Sequence, residues 1–418
     1  MRDRDRLIHA SVLRRLEGIT QVVSSSEGHV FHNRLTHSLK VAQIGRRLAE
    51  FLLNESRKAL LNRWGGLDPE VVEAACLGHD LGHPPFGHMA EVSLNKFCKD
   101  KCELQEDGFE GNAQSFRVIT KLGLREIRVR GLDLTRATLN AHLKYPWHRN
   151  TPGCKSNKWG AYSTEKADFD FARENFPFPR QSLEAAIMDW SDDIAYSVHD
   201  LEDFVRAGKI PLHRVIESKE AQNDFLNGIR QRWMNSGKEQ MINEFSRYEN
   251  AFLRLIEIME LLYTEPYRGT VKQEQSLVFL SSILVNRYIN GVYLCKEYFV
   301  ELTPIGWDQK LVEEVEVLKE FTWEFVIDDV ALATQQKGQG KIIQCLSEFF
   351  YDQASSDSEG GWKYFPAMFR DFLQMEEDKK ERARLAIDYV ASMTEAEAIR
   401  LFQRISGYSI GSIMDVGR

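Results

Sequence analysis

The sequence predicts an all-α protein. Apolar residues recur at helical spacing along most of the 418 positions and strand-like alternation is scarce. The polar, turn-rich stretches are few: Glu103 to Gly111, Tyr145 to Tyr162 and Ala354 to Gly361. The first clear helix carries Val41, Ile44, Leu48 and Phe51 on the face of His37, and the second carries Val72, Ala75 and Cys76 and leads to His79. Both histidines are therefore expected on buried helix faces. Gly82, Pro84, Pro85 and Gly87 follow at once, ending that helix in a turn expected to aim His83 and His88 back toward His79. A third helix is expected from Gln181 to Ala207, with an apolar stripe at Ile187, Trp190/Ser191, Ile194, Val198, Leu201 and Val205 and stop signals at Gly208 and Pro211. Along one edge of it Asp192, Tyr196, Asp200 and Asp203 fall at i, i+4, i+8 and i+11, which brings carboxylates and a phenol to one side. From about residue 215 onward the pattern is of long amphipathic helices without a repeat period.

Composition bounds the function. With 43% hydrophobic and 28% charged residues the chain can bury a large core. A net charge of −8 and a pI near 5.9 argue against a surface devoted to nucleic acid and for a small partner. Six cysteines form no C-x-x-C pair, as expected of reduced, mostly buried thiols. No apolar run of the signal-peptide kind opens the chain, and stretches such as Leu277 to Val285 are too short to span a bilayer. A soluble, cytoplasmic protein without membrane contact is expected.

The chemistry concentrates in His37, the pair His79-Asp80, and Asp192. Imidazole nitrogen suits first-row transition metals and carboxylate oxygen suits harder ions, so two of each fit one divalent Lewis acid acting on a phosphate; Mn²⁺, Mg²⁺ and Fe²⁺ are the candidates. An isolated His-Asp dipeptide is more often a surface or capping pair, but the turn that follows argues for the ligand reading. His88 and Glu91 stand three apart at the start of the next helix, where the carboxylate can polarise the imidazole for acid or base work; a structural His beside a first-turn Glu is the bland alternative. The ligands span 37 to 192 and must converge, so no domain boundary falls between them. Lys144 and Lys158 bracket an aromatic-rich segment, Tyr145 to Tyr162, read either as a phosphate-binding flap or as an ordinary solvated loop.

These residues stand in longer strings: Arg4-Asp-Arg-Leu-Ile-His-Ala, Arg14-Arg15-Leu16 with Thr20-Gln21-Val22, Arg34-Leu-Thr-His37-Ser, His79 to His88, Phe109-Glu-Gly-Asn112-Ala-Gln114, Lys144-Tyr-Pro-Trp147, Asp192 to Asp203 and Asp388-Tyr389 to Thr394. In them the chain resembles the HD-superfamily deoxynucleoside triphosphate triphosphohydrolases, and among these the deoxyguanosine triphosphate triphosphohydrolase-like proteins. The resemblance implies an HD-type helical core over 1–215 with additional C-terminal helices over 216–418, which contribute to pocket and assembly. It implies that His37, His79, Asp80 and Asp192 hold the metal and that His88, supported by Glu91 and with His83 beside it, is catalytic. It places Tyr196 under the deoxyribose, Asp200 and Gln21 at the 3′-hydroxyl, and Arg34, Asn112, Lys144 and Lys158 among the substrate contacts. The implied reaction releases deoxynucleoside and intact tripolyphosphate. A homo-oligomer is implied, and a deoxynucleotide effector or single-stranded DNA is a further partner to consider; Arg268, Lys272, Arg382 and Arg384 are candidate cations for it, though scattered helix-surface charges are the commoner explanation of such residues. Some relatives carry a histidine where Gly111 stands, so a second catalytic histidine from that segment is not available.

Two other functions share the residues: an HD phosphomonoesterase or phosphodiesterase acting on nucleotides, and a nucleotide-sensing or single-strand-binding protein. Intact His88 and Glu91 argue against the last, because a sensor needs no acid/base pair.

Overall fold

The computed structural model describes residues 2–22, 32–54, 58–63, 65–102, 104–126, 129–177, 179–261, 265–295, 303–327, 330–356 and 359–409. Among the described residues it is mostly helical, with one antiparallel strand pair, Val292–Leu294 with Ile305–Trp307. Among the described residues no helix is long and apolar enough to cross a membrane.

Three helices position the centre of the molecule. The Arg34–Leu52 helix starts where the Asn33 side chain accepts from Thr36 N at 2.9 Å, and the Pro69–Gly78 helix where Asp68 accepts from Glu70 N with Pro69 in the first turn. The Leu183–Arg206 helix starts where Ser182 accepts from Ala185 N. Its stripe from Ile187 to Val205 is buried as the spacing predicts, as are Val41, Ile44, Leu48, Val72, Ala75 and Cys76. The three helices can meet closely because Gly45 lacks a side chain: a Cβ there would lie 2.6 Å from Cys76 Sγ and 3.3 Å from Ser191 Oγ.

The apolar interior falls into two large clusters. One runs from Val41 to Val326 and includes the strand pair; the other joins Leu7 and Leu13 to Leu94, Phe116 and Leu139 and then to Phe350, Ile387 and Ala398. Both draw on residues from either side of position 215. A polar girder reinforces the second: the buried Arg117 guanidinium bonds Asp388 at 2.8 Å and Glu165 at 2.6 Å, while Gln114 donates to the other Asp388 oxygen at 2.9 Å. Removing one partner from such a buried set strands the remaining charges. Arg117→Ala is expected to lower unfolding free energy by about 3–5 kcal/mol in chemical denaturation.

The Tyr145–Tyr162 segment is a loop, exposed over most of residues 150–157 and anchored at its C-terminal end. Trp159 and Tyr162 are fully buried with Ala113 and pin it down, and Trp147 donates to Lys158 O at 2.7 Å. The polar stretch from Glu103, itself outside the described residues, reaches Gly111 through turns, and that from Ala354 gives way to a short Glu359–Trp362 helix, with 357–358 outside the described residues.

Candidate active site

His37 enters from the first turn of its helix, His79 caps the end of the Pro69–Gly78 helix, and Asp192 lies midway along Leu183–Arg206. Asp192 Oδ1 is 3.0 Å from His37 Nε2 and 3.6 Å from His79 Nε2. Asp80 Oδ1 lies 3.4 Å from His79 Nε2 and 3.0 Å from His83 Nδ1. The four predicted ligands thus converge, with His37, His79 and Asp192 the tightest group. Whether they fit a cation is tested by His79: its Nδ1 donates to Cys76 O at 2.6 Å, which fixes the tautomer, and its buried Nε2 has no hydrogen-bond partner. A nitrogen lone pair held among two carboxylates and a second imidazole is a divalent-metal donor set. Burial disfavours a charged His79, yet Asp80 and Asp192 outweigh it and bring the imidazole up to about 9. A cation would compete with that proton.

Asp80 and Asp192 both stay ionised. Burial opposes this, but His79, His83 and Arg34 hold Asp80 well below the usual carboxylate range, and Lys144 and His79 do the same for Asp192. The cations expected at phosphate are in place and engaged with these acids. Arg34 donates to Asp80 Oδ2 at 2.6 Å, Lys144 lies 2.8 Å from Asp189 and 2.9 Å from Asp192, and Lys158 lies 2.8 Å from Glu110. Asn112 donates to Glu110 as well, and Glu110 in turn caps the helix that begins at Gly111.

Next to the ligands runs a second chain of contacts. His83 Nε2 is 3.1 Å from Glu91 Oε1, and Glu91 Oε2 is 3.2 Å from His88 Nδ1. Burial opposes ionisation of Glu91, but His83, His88 and Lys158 outweigh it and keep it a carboxylate. Gly111 explains the missing second histidine: a Cβ at this position would lie 2.3 Å from Glu91 Oε1, so any side chain there evicts the carboxylate. Gly111→Ala is expected to reduce turnover by about 10-fold or more with metal content unchanged, as misplacing a supporting group does. Steady-state rates beside metal analysis check it.

Most of these groups line a cavity of about 570 Å³. Gln21, Arg34, His79, Asp80, His83, His88, Asn112, Lys144, Lys158, Asp192 and Tyr196 line it. His37 and Glu91 stand behind that wall, and Asp200 sits one turn beyond Tyr196, buried, with its Oδ2 lacking a hydrogen-bond partner. Burial, Asp203 and Asp192 push Asp200 well above the usual carboxylate range, so it favours its protonated form. Gln21 Oε1 is buried and likewise without a partner.

The far wall was not found from sequence. Trp323, Ile327, Leu332, Gln335, Gln336 and Gln339 come from the C-terminal half and close the cavity over Met89 and Val92. The glutamines at i, i+1 and i+4 on one helix are a spacing that could have pointed to it. Asp203 is spent on residue 32, accepting from its backbone N at 2.8 Å and from its ring. His142, two residues before Lys144, is buried against Gly78 and donates to Thr138 O; burial brings it down to about 4. One suggested effector cation is excluded: Arg384 is fully buried, stacked 3.8 Å over the Tyr162 ring and bonded to Gly108 O, so it cannot greet an anion in solvent.

Residues 34–196 match the HD domain, and 305–404 match the phosphohydrolase-associated domain. The chain is similar to the deoxyguanosinetriphosphate triphosphohydrolase-like protein of Streptomyces coelicolor, 34% identical across 97% of this chain and 92% of the relative. It is also similar to the proteins of the same name from Corynebacterium efficiens, at 34% across 98% and 91%, and Haemophilus influenzae, at 29% across 97% and 92%.

Proposed function

The chain belongs to the deoxyguanosinetriphosphate triphosphohydrolase-like proteins, HD-type nucleotide phosphohydrolases, and on that premise we propose that it hydrolyses deoxynucleoside triphosphates, dGTP among them, to deoxynucleoside and tripolyphosphate. One observation carries the reading: a single cavity is lined by His79, Asp80 and Asp192 of the metal-donor cluster, by three cations, by His88 and by the half-buried Tyr196. Its size suits a nucleotide. In this reading the 1–215 core carries the chemistry, and the 216–418 region supplies wall and assembly surface.

His37, His79, Asp80 and Asp192 would hold the divalent ion, Mn²⁺, Mg²⁺ or Fe²⁺. When bound, that ion neutralises charge on the phosphate oxygens as a Lewis acid. Lys144, Lys158 and Arg34 add positive potential where the triphosphate charge collects, and Arg34 also orients Asp80. Tyr196 packs against the deoxyribose, and a 2′-hydroxyl there meets a ring and no partner, which disfavours ribonucleotides. Gln21 and Asp200 keep unmet hydrogen-bonding atoms for the 3′-hydroxyl. His88, with Nδ1 on Glu91, retains Nε2 to move a proton as water attacks the α-phosphorus and the 5′-oxygen leaves. A homo-oligomer and a regulatory deoxynucleotide or single-stranded DNA belong to the same reading.

The test is to incubate the protein with Mn²⁺ or Mg²⁺ and each deoxynucleoside triphosphate, singly and mixed, and resolve products by chromatography and phosphorus NMR. Deoxynucleoside with intact tripolyphosphate is expected. Monophosphate or stepwise phosphate release would instead mean another HD phosphoesterase, and no turnover in any mixture would mean a sensor.

A further inference from the structure

The turn that carries His83 and His88 is strained and is held from outside. Phe86, bulky and buried, has φ +68°, a left-handed conformation that L side chains rarely adopt, and Gly87 follows at +59°. Such a backbone persists only where its surroundings fix it. Two side chains far from it in sequence do so.

Arg15 donates to four backbone carbonyls at once. Two belong to the turn, Leu81 O at 2.7 Å and His83 O at 2.9 Å, and two to the C-terminal region, Ala391 O at 3.0 Å and Met393 O at 3.2 Å. Glu395, buried in the first turn of the Glu395–Ile405 helix, accepts through one oxygen, Oε1, from Phe86 N at 3.2 Å and from Thr20 N at 2.8 Å. Thr20 precedes Gln21 of the cavity wall and pairs with Asn33, next to Arg34. Neither Arg15 nor Glu395 lines the cavity.

We propose that Arg15 and Glu395 are positioning residues that clamp the strained 81–87 turn to the C-terminal region, so that this region sets the placement of His83 and His88 and with it the rate of the chemical step. The proposal rests on the acid/base reading of His88. A guanidinium is suited to the task because its planar fork of five N–H donors serves all four carbonyls, whereas an ammonium has only three donors. Neither group touches substrate in this account, so their loss acts on kcat and not on binding.

The experiment compares Glu395→Ala, Glu395→Gln and Arg15→Lys in the full chain, loaded with Mn²⁺. It measures kcat and KM per bound metal, melting temperature, and backbone hydrogen exchange over residues 81–88. Glu395→Ala should exchange faster across that turn and lose about 10- to 100-fold in kcat, with KM within about twofold, the scale set by small displacements of a catalytic group. Glu395→Gln keeps the accepting oxygen and should restore both readings. Arg15→Lys should repeat the alanine phenotype in part, and it carries the test if Glu395→Ala fails to fold. A lower melting temperature with unchanged kcat per metal would overturn the proposal and leave an ordinary stabilising contact, as would unchanged exchange over 81–88. If the wild-type chain turns over no deoxynucleoside triphosphate, the functional reading fails separately, and the exchange comparison alone decides the clamp.

Discussion

Asp192→Ala should abolish metal binding and turnover together. Asp192 Oδ1 faces both His37 and His79, and its Oδ2 anchors Lys144, so no other side chain among the described residues replaces it. The metal's Lewis-acid contribution is several kcal/mol, and each 1.4 kcal/mol is tenfold in rate, so the expected loss is about 10³-fold or greater. Elemental analysis of the purified variant against wild type, beside rates at saturating Mn²⁺, is the check. Asp192→Asn is the companion, since it preserves volume while removing the charge. Stoichiometric metal in either variant would contradict the assignment of this ligand.

His88→Ala should divide the two properties. The imidazole side chain is 72% exposed, so removing it leaves no hole in the core and should leave metal content and melting temperature near wild type. Turnover should fall by about 10²- to 10⁴-fold, the usual worth of a positioned acid or base. A rate within about threefold of wild type with metal retained would exclude His88 from the chemistry and turn attention to His83, whose ring lies between Asp80 and Glu91.

The parts of this molecule legible in its sequence are those built from local spacing. His37, His79 and the Asp192–Tyr196–Asp200 edge could be placed because a helix fixes which residues share a face, and the stop signals after Asp80 announced the turn that returns His83 and His88. What escaped depends on contacts between distant segments. The Tyr145–Tyr162 segment is the loop that its prolines and glycines indicate, but its anchoring through Trp159 and Tyr162 depends on Ala113, a partner no local spacing reveals. The strand pair was missed because each strand has only three residues and is stabilised by its partner and the core beneath. The glutamine wall and Glu395 come from far beyond Asp200 in the chain, and helix spacing alone does not say which distant segment they meet. Arg384 was misjudged because a lone arginine in a polar helix looks solvent-facing until the ring it covers is known.

The dependence of the 81–87 turn on Ala391, Met393 and Glu395 bears on how this protein comes into being. A ribosome delivers the proposed metal ligands, His88 and Glu91 within the first half of the chain, well before Ala391, Met393 and Glu395. On the clamp proposed above, a nascent chain would hold the ligand set before the turn beside it is fixed. On the same proposal, trimming back past Glu395 should slow the site while the candidate ligands still converge.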